Sequence, residues 1–169
     1  MKAALHDLFT EYTEYHRHPV NILIHKIAVP LIFFNAMAML DWVVLGQIPG
    51  SPGWPMTMGQ LFVALCAIWY LAMDLKLGVI LTLAFAAMLA LGHATPAWAV
   101  IALGLFGWAI QMAGHFVWEK KAPNFTKNAV QALVGPIYFL ALATGDWRMP
   151  GLAGDPVRGG GIADKGETT

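Results

Sequence analysis

The chain has 169 residues, of which 58% are hydrophobic and 12% charged, and its ten basic residues are offset by ten acidic ones. A soluble domain carries about 25% charged residues, and disorder needs low hydrophobicity with high net charge, so both classes are excluded. The charge balance leaves no basic field to hold nucleic acid, the single Cys66 rules out a disulfide framework or a thiolate zinc cluster, and the length fits one domain.

What remains is an all-α, integral membrane helical bundle. Residues 1–20 lack the basic start, short apolar run and small-residue cleavage site of a secretory signal, so they are expected to stay. Leu5, Leu8, Phe9, Tyr12 and Tyr15 recur at helical spacing with Glu11 and Glu14 between them, which predicts an amphipathic helix against the membrane or the other helices. Five apolar segments follow, at about Asn21–Leu45, Met58–Met73, Leu77–Leu91, Ala97–Trp118 and Asn128–Ala143. A spanning helix needs about 20 apolar residues. The first and fourth qualify, the second and third are short around Asp74-Leu75-Lys76, and the fifth is broken by Gly135-Pro136, which predicts a kink. In lipid no water satisfies free backbone groups, so helices are expected throughout. Gln47 to Pro55, rich in Pro and Gly, reads as a loop, and His93-Ala94-Thr95-Pro96 as a turn. The expected catalytic domain is 1–146, followed by a Gly-rich flexible tail over 147–169.

Basic residues set the orientation. Lys2, Arg17 and Lys26 flank the start of the first segment, the loop from Gly46 to Thr57 has none, the next turn has Lys76, and the fourth loop has Lys120, Lys121 and Lys127. This alternation places the N-terminus on the cytoplasmic side, as in a bacterial inner membrane. Arg148, Arg158 and Lys165 run against it: either the fifth segment does not fully cross or the tail departs from the rule.

The same topology gathers histidines. His16, His18 and His25 lie at the cytoplasmic start of the first span, and His115 near the cytoplasmic end of the fourth, with Glu119 one turn later. Pro19 suits a first helical turn, with His18 then near the cap. Asn21 and His25 share a face, as do Gln111, His115 and Glu119, and Gly114 permits close packing beside that polar stripe. Ionisable groups within a span are costly and mark sites. Imidazoles suit zinc, copper and iron; with a carboxylate and open positions they fit either ferrous oxygen chemistry or a hydrolytic zinc, and spacing does not separate these. His6 and His18 read more simply as interfacial or capping residues. His93 is excluded, because a straight helix would put it roughly 30 Å from His115. Trp42, Trp54, Trp98, Trp108, Trp118 and Trp147 read as belt or packing residues, the methionines as core, and Asp41 and Asp74 as helix ends. Lys120 and Lys121 either set topology or attract an anionic head.

YHRHPVNILIHKIAVPLIFF near the start, with GWAIQMAGHFVWEKKAPNF and NAVQALVGPIYF later, resembles the Fe(II)-dependent 2-hydroxy fatty acid dioxygenases. The likeness covers roughly residues 8–45 and 104–142, and both YH-x4-N-x3-H and GH-x3-E-x3-P stand in order. It implies that His16, His25 and His115 are the essential histidines holding Fe(II), with Asn21, Gln111 and Glu119 as accompanying polar residues and Glu119 open to direct ligation. His18 is not carried over, although it could add a ligand or relay. The implied reaction is alpha-oxidation, in which a long-chain 2-hydroxy fatty acid and O2 give an acid one carbon shorter. The substrate chain would lie among apolar helices in the membrane, with its head near Lys120 or Lys121. Two other readings compete. One is a zinc-dependent membrane lipid hydrolase with Glu119 as general base, and the other a non-enzymatic membrane carrier or assembly protein. A di-iron hydroxylase is disfavoured, since its histidine boxes are missing.

Overall fold

Two adjacent residues, His18 and Pro19, set where the first long apolar run becomes helical. In the computed structural model, which describes residues 2–47, 50, 53, 55–123 and 128–149, helix α2 (Pro19–Asp41) starts where Pro19 needs no hydrogen-bonded N–H, and the His18 side chain accepts from the Val20 N–H at 3.2 Å. The helix stops at Asp41, earlier than Leu45. Val44–Gln47 (β1) instead pairs antiparallel with Pro55–Thr57 (β2), in the register Val44↔Thr57, Gly46↔Met56 and Gln47↔Pro55. The segments on either side of the expected loop are thus paired strands, and among the described residues an otherwise all-α bundle carries one two-stranded ribbon. Trp54, Lys127 and nearly all of the tail lie outside the described residues.

Capping fixes the next elements. Thr57 and Gln60 form a reciprocal capping box that opens α3 (Met58–Met73). Asp74 ends α3 and caps α4 (Leu75–Ala94), accepting from the Leu77 N–H at 3.1 Å. With that cap the third apolar segment extends at both ends to 20 residues, longer than Leu77–Leu91. Helix α5 (Ala97–Ala113) runs on into a π-helical turn at Gly114–Glu119. Among the described residues, three helical stretches are therefore long and apolar enough to cross a membrane: Pro19–Asp41, Leu75–Ala94 and Ala97–Glu119. Their outward residues are apolar; Leu83 is 67% and Leu105 69% exposed, as a lipid-facing surface requires.

Helix α1 (Ala3–Glu14) packs on protein rather than lying alone. Its Leu5, Phe9 and Tyr12 are buried, chiefly against α6 (Val130–Thr144). Phe9 meets Tyr138 edge-on at 5.3 Å, and Thr13 Oγ1 lies 3.0 Å from the Tyr138 hydroxyl. Trp147, placed by the sequence at the head of the tail, is buried against Phe9 at 5.3 Å.

These contacts decide how α6 sits. It starts beside Glu11, to which Gln131 donates, and ends where Asp146 pairs with Lys76 at 2.8 Å in the first turn of α4. The Lys2 ammonium also donates to the Ala72 carbonyl at the end of α3. The opposite pole is marked by His93 on Asp41, 3.0 Å apart, joining the C-terminal ends of α4 and α2. Both ends of α6 therefore lie at the pole where α2 begins, and its 15 residues are too short to cross. Of the two explanations for Arg148, this placement favours the first, since both ends of the fifth segment lie at one pole.

Close approach of α5 to α2 is set by glycine. A Cβ on Gly104 would fall 2.3 Å from the Asn35 side chain, whose Nδ2 donates to the Val100 carbonyl at 3.1 Å. Gly104→Val is expected to cost about 1–3 kcal/mol through overpacking. It should appear as a lower unfolding midpoint in detergent, whereas Gly46→Val, with nothing within 4 Å of the added Cβ, should leave that midpoint unchanged.

Candidate metal centre

Three separate stretches deliver one imidazole each. His16 sits in the turn between α1 and α2, His25 in the second turn of α2, and His115 in the π-helical turn after α5. Their ring centroids lie 4.5 Å (His16–His25), 4.7 Å (His25–His115) and 5.0 Å (His16–His115) apart. One ligating nitrogen from each lies within 4.8 Å of the others, and none of the three residues is more than 2% exposed.

Hydrogen bonding fixes which nitrogens can bind. His16 Nδ1 lies 2.9 Å from the Tyr12 carbonyl oxygen, and His25 Nδ1 lies 2.9 Å from that of Asn21. A carbonyl only accepts, so each Nδ1 carries the proton and each Nε2 presents a lone pair. His16 Nε2 has no partner although it is buried. Burial, with His25 beside it, holds His16 well below the usual histidine range, so this imidazole is neutral. His25 Nε2 and His115 Nε2 stand 3.0 Å apart. His25 has no proton to give there, so His115 donates to it, or a cation between the rings takes both lone pairs. His115 Nδ1 is also buried and unpartnered. An unpaired lone pair at such depth is costly, and a borderline metal bound through one nitrogen of each ring would take up that of His16 Nε2. The residues therefore fit a histidine-bound transition metal.

Tyr12 supports the set in a way the sequence reading missed. Its ring stacks on His16 at 4.0 Å with 7° between the planes. The signal was the Tyr12–His16 spacing of one helical turn, which was read only as an apolar face.

Glu119 is positioned differently from the expectation. Its Oε1 accepts from the backbone N–H groups of Arg17 and His18, both at 2.7 Å, and from Asn21 Nδ2 at 3.2 Å. It is not part of the three-histidine group. The wider π-helical turn takes it out of register with Gln111 and His115, and the free N–H groups before α2 capture it. The carboxylate thus ties the end of the fourth apolar segment to the turn that carries His16. Asn21 holds His25 through its carbonyl and Glu119 through its amide. Gly114 faces it so closely that a Cβ there would lie 2.2 Å from Asn21 Oδ1. His18 caps α2, as its position before Pro19 suggested. Lys121 Nζ reaches the Glu14 carbonyl oxygen at 3.4 Å, and Lys120 takes a left-handed conformation (φ 53°) that ends the π-helical turn. Neither lysine lines the cavity described next.

A cavity of about 170 Å³ opens from the histidines. Gln111 and Gln131 join them at its polar end. Val29, Ile32, Phe33, Ala36 and Phe62 form an apolar wall beyond. Gln131 is a second residue that sequence reasoning missed: it is a polar residue in an apolar segment that was read for its length and its proline.

The Glu119 contacts carry their own test. Glu119→Ala leaves backbone donors unpaired and is expected to weaken metal binding about 10–100-fold, as loss of a supporting partner does. Glu119→Gln keeps an accepting oxygen and should retain most of that affinity, both read by metal titration of detergent-purified protein.

Residues 3–146 match the family model described as 2-hydroxy-palmitic acid dioxygenase Mpo1-like. The chain is 37% identical over 131 residues to the 2-hydroxy-palmitic acid dioxygenase MPO1 of Saccharomyces cerevisiae, an alignment that covers 76% of this chain and 72% of the yeast protein. No solved structure matches it. The chain belongs to the Mpo1-like family.

Proposed function

We propose that this protein is a membrane-embedded dioxygenase that takes a long-chain 2-hydroxy fatty acid and O2 and leaves a fatty acid one carbon shorter, with iron(II) held by His16, His25 and His115. The observation that carries this reading is the convergence of three buried imidazoles at the polar end of an apolar cavity. The yeast relative's name supplies the substrate class. Bound iron(II) would supply the redox chemistry that lets O2 react with a spin-paired substrate.

The chain's own residues do the rest. The Tyr12 and Asn21 carbonyls fix the His16 and His25 rings, so the site is formed before any ligand arrives. The wall from Val29 to Ala36, with Phe62, takes the alkyl chain and excludes water. Gln111 and Gln131 meet the polar head. In the reaction the bond between C1 and C2 breaks, C2 becomes the new carboxyl carbon, and C1 leaves as carbon dioxide while water forms. All the electrons that O2 accepts come from these two carbons, so no separate reductant is needed. The pole that carries the site also carries Lys2, Arg17, Lys76, Lys120, Lys121 and Arg148, and this excess of basic residues supports a cytoplasmic placement of the site.

A zinc hydrolase would need a free carboxylate as general base. Glu119 already accepts three N–H donors through Oε1 and is poorly placed for that role.

His16→Ala, His25→Ala and His115→Ala are each expected to abolish tightly bound iron, while His93→Ala, at the far pole, keeps it; metal analysis of the detergent-purified proteins decides. Addition of 2-hydroxypalmitate to the iron-loaded protein should drive oxygen uptake and release of the shortened acid. A chelator should stop both, and turnover that persists without oxygen would refute the reaction.

A further inference from the structure

Gln131, in the first turns of α6, is 2% exposed and lines the cavity that holds the three histidines. Its Nε2 donates to Glu11 Oε2 at 2.7 Å, and its Oε1 is buried without a partner. A carboxylate only accepts, so this amide cannot turn over: the NH2 must face Glu11, and the end left unpaired is the carbonyl oxygen. Gln111, at the same cavity, differs. Its Oε1 is also unpartnered, but no side-chain hydrogen bond among the described residues holds its amide in one orientation, so it can present either oxygen or NH2. Of the two, Gln131 alone is committed to accepting.

We propose that Gln131 selects for the hydroxyl group at C2, with its Oε1 accepting the O–H of the substrate. The proposal rests on the substrate being a 2-hydroxy acid. At neutral pH the carboxyl group of such an acid is ionised and only accepts, so the 2-hydroxyl is the one donor the ligand brings. An unsubstituted fatty acid brings none and leaves the Gln131 oxygen buried and unpaired. Sites built around a substrate hydroxyl reject the analogue that lacks it far more strongly than apolar pockets reject an altered chain length. Glu11 is the positioning residue: it touches no substrate and acts by holding the Gln131 amide in its accepting orientation.

The test is binding, measured by calorimetry on the full-length iron-loaded protein in detergent without oxygen, so that no turnover occurs. The ligands are 2-hydroxypalmitate and palmitate. The wild type should bind the hydroxy acid more tightly. Gln131→Leu should weaken 2-hydroxypalmitate about 10–100-fold and leave palmitate unchanged or tighter, so that the preference collapses. Retained palmitate binding shows that the cavity is intact; if Gln131→Leu fails to fold, Gln131→Met, which keeps the chain length, takes its place with the same expectation. Glu11→Gln, whose new side chain can donate as well as accept, frees the Gln131 amide to turn and should erode the preference without changing palmitate binding. Equal weakening of both ligands, or no change in either, overturns the proposal. A wild type with no hydroxyl preference also overturns it, and oxygen uptake on 2-hydroxypalmitate then tells whether the reaction itself stands.

Discussion

Three imidazoles brought within 4.8 Å of one another and shielded from water make an unstable arrangement unless something takes up their lone pairs. Much of the local architecture serves this arrangement. Two main-chain carbonyls, one at the end of α1 and one at the start of α2, each take an Nδ1 proton and so decide which nitrogen faces inward. Those carbonyls keep their places only if the turn between the helices is held, and Glu119 holds it by accepting from Arg17, His18 and Asn21 at once. A carboxylate that closes a turn in this way is doing the work of a helix cap from a helix elsewhere in the chain.

The π-helical turn and the glycine before it make that possible. A continuous α-helix would align Gln111, His115 and Glu119 on one stripe, and all three would then compete for the same space beside α2. The extra residue per turn separates them, leaving Gln111 and His115 on the cavity and Glu119 toward the turn. Gly114 lets the Asn21 amide pass where any side chain would block it. Insertions of this kind cost backbone regularity and are retained where a site needs the altered direction.

The histidine set was legible because topology alone brings the start of one span and the end of an antiparallel one to the same depth. Helix starts were legible for a local reason: Pro19, Thr57 and Asp74 are capping signals that act within a few residues. The end of α2 was not, because Val43 and Val44 are equally apolar in a helix or a strand and the pairing partner lies beyond the loop. The course of α6 was open too. Its length and its proline allow a kinked span, and only the packing of Phe9 on Tyr138 and Trp147, with the Lys76–Asp146 pair, turns both of its ends to one side. The direction of Glu119 was not legible, because a spacing counted at α-helical pitch does not foresee the π-helical turn. Gln131 was passed over because its meaning lies in Glu11, a partner from the other end of the chain.

The placement of α6 across one pole also explains why the site can serve a lipid. A ligand with an ionised head and a long alkyl tail is satisfied only where water and hydrocarbon meet, so its reacting end must lie near a pole of the bundle and its tail must run inward. Between His25 and Ala36, both on the cavity wall, α2 rises roughly 16 Å, which is about half the hydrocarbon thickness. A sixth element that crossed the membrane would leave the histidine pole open on that flank. One that lies across this pole lays Gly135 against Tyr12 and brings Gln131 to the cavity, so the segment that roofs the centre also supplies its fixed acceptor. The lack of a full span in α6 is therefore tied to the enclosure of the site.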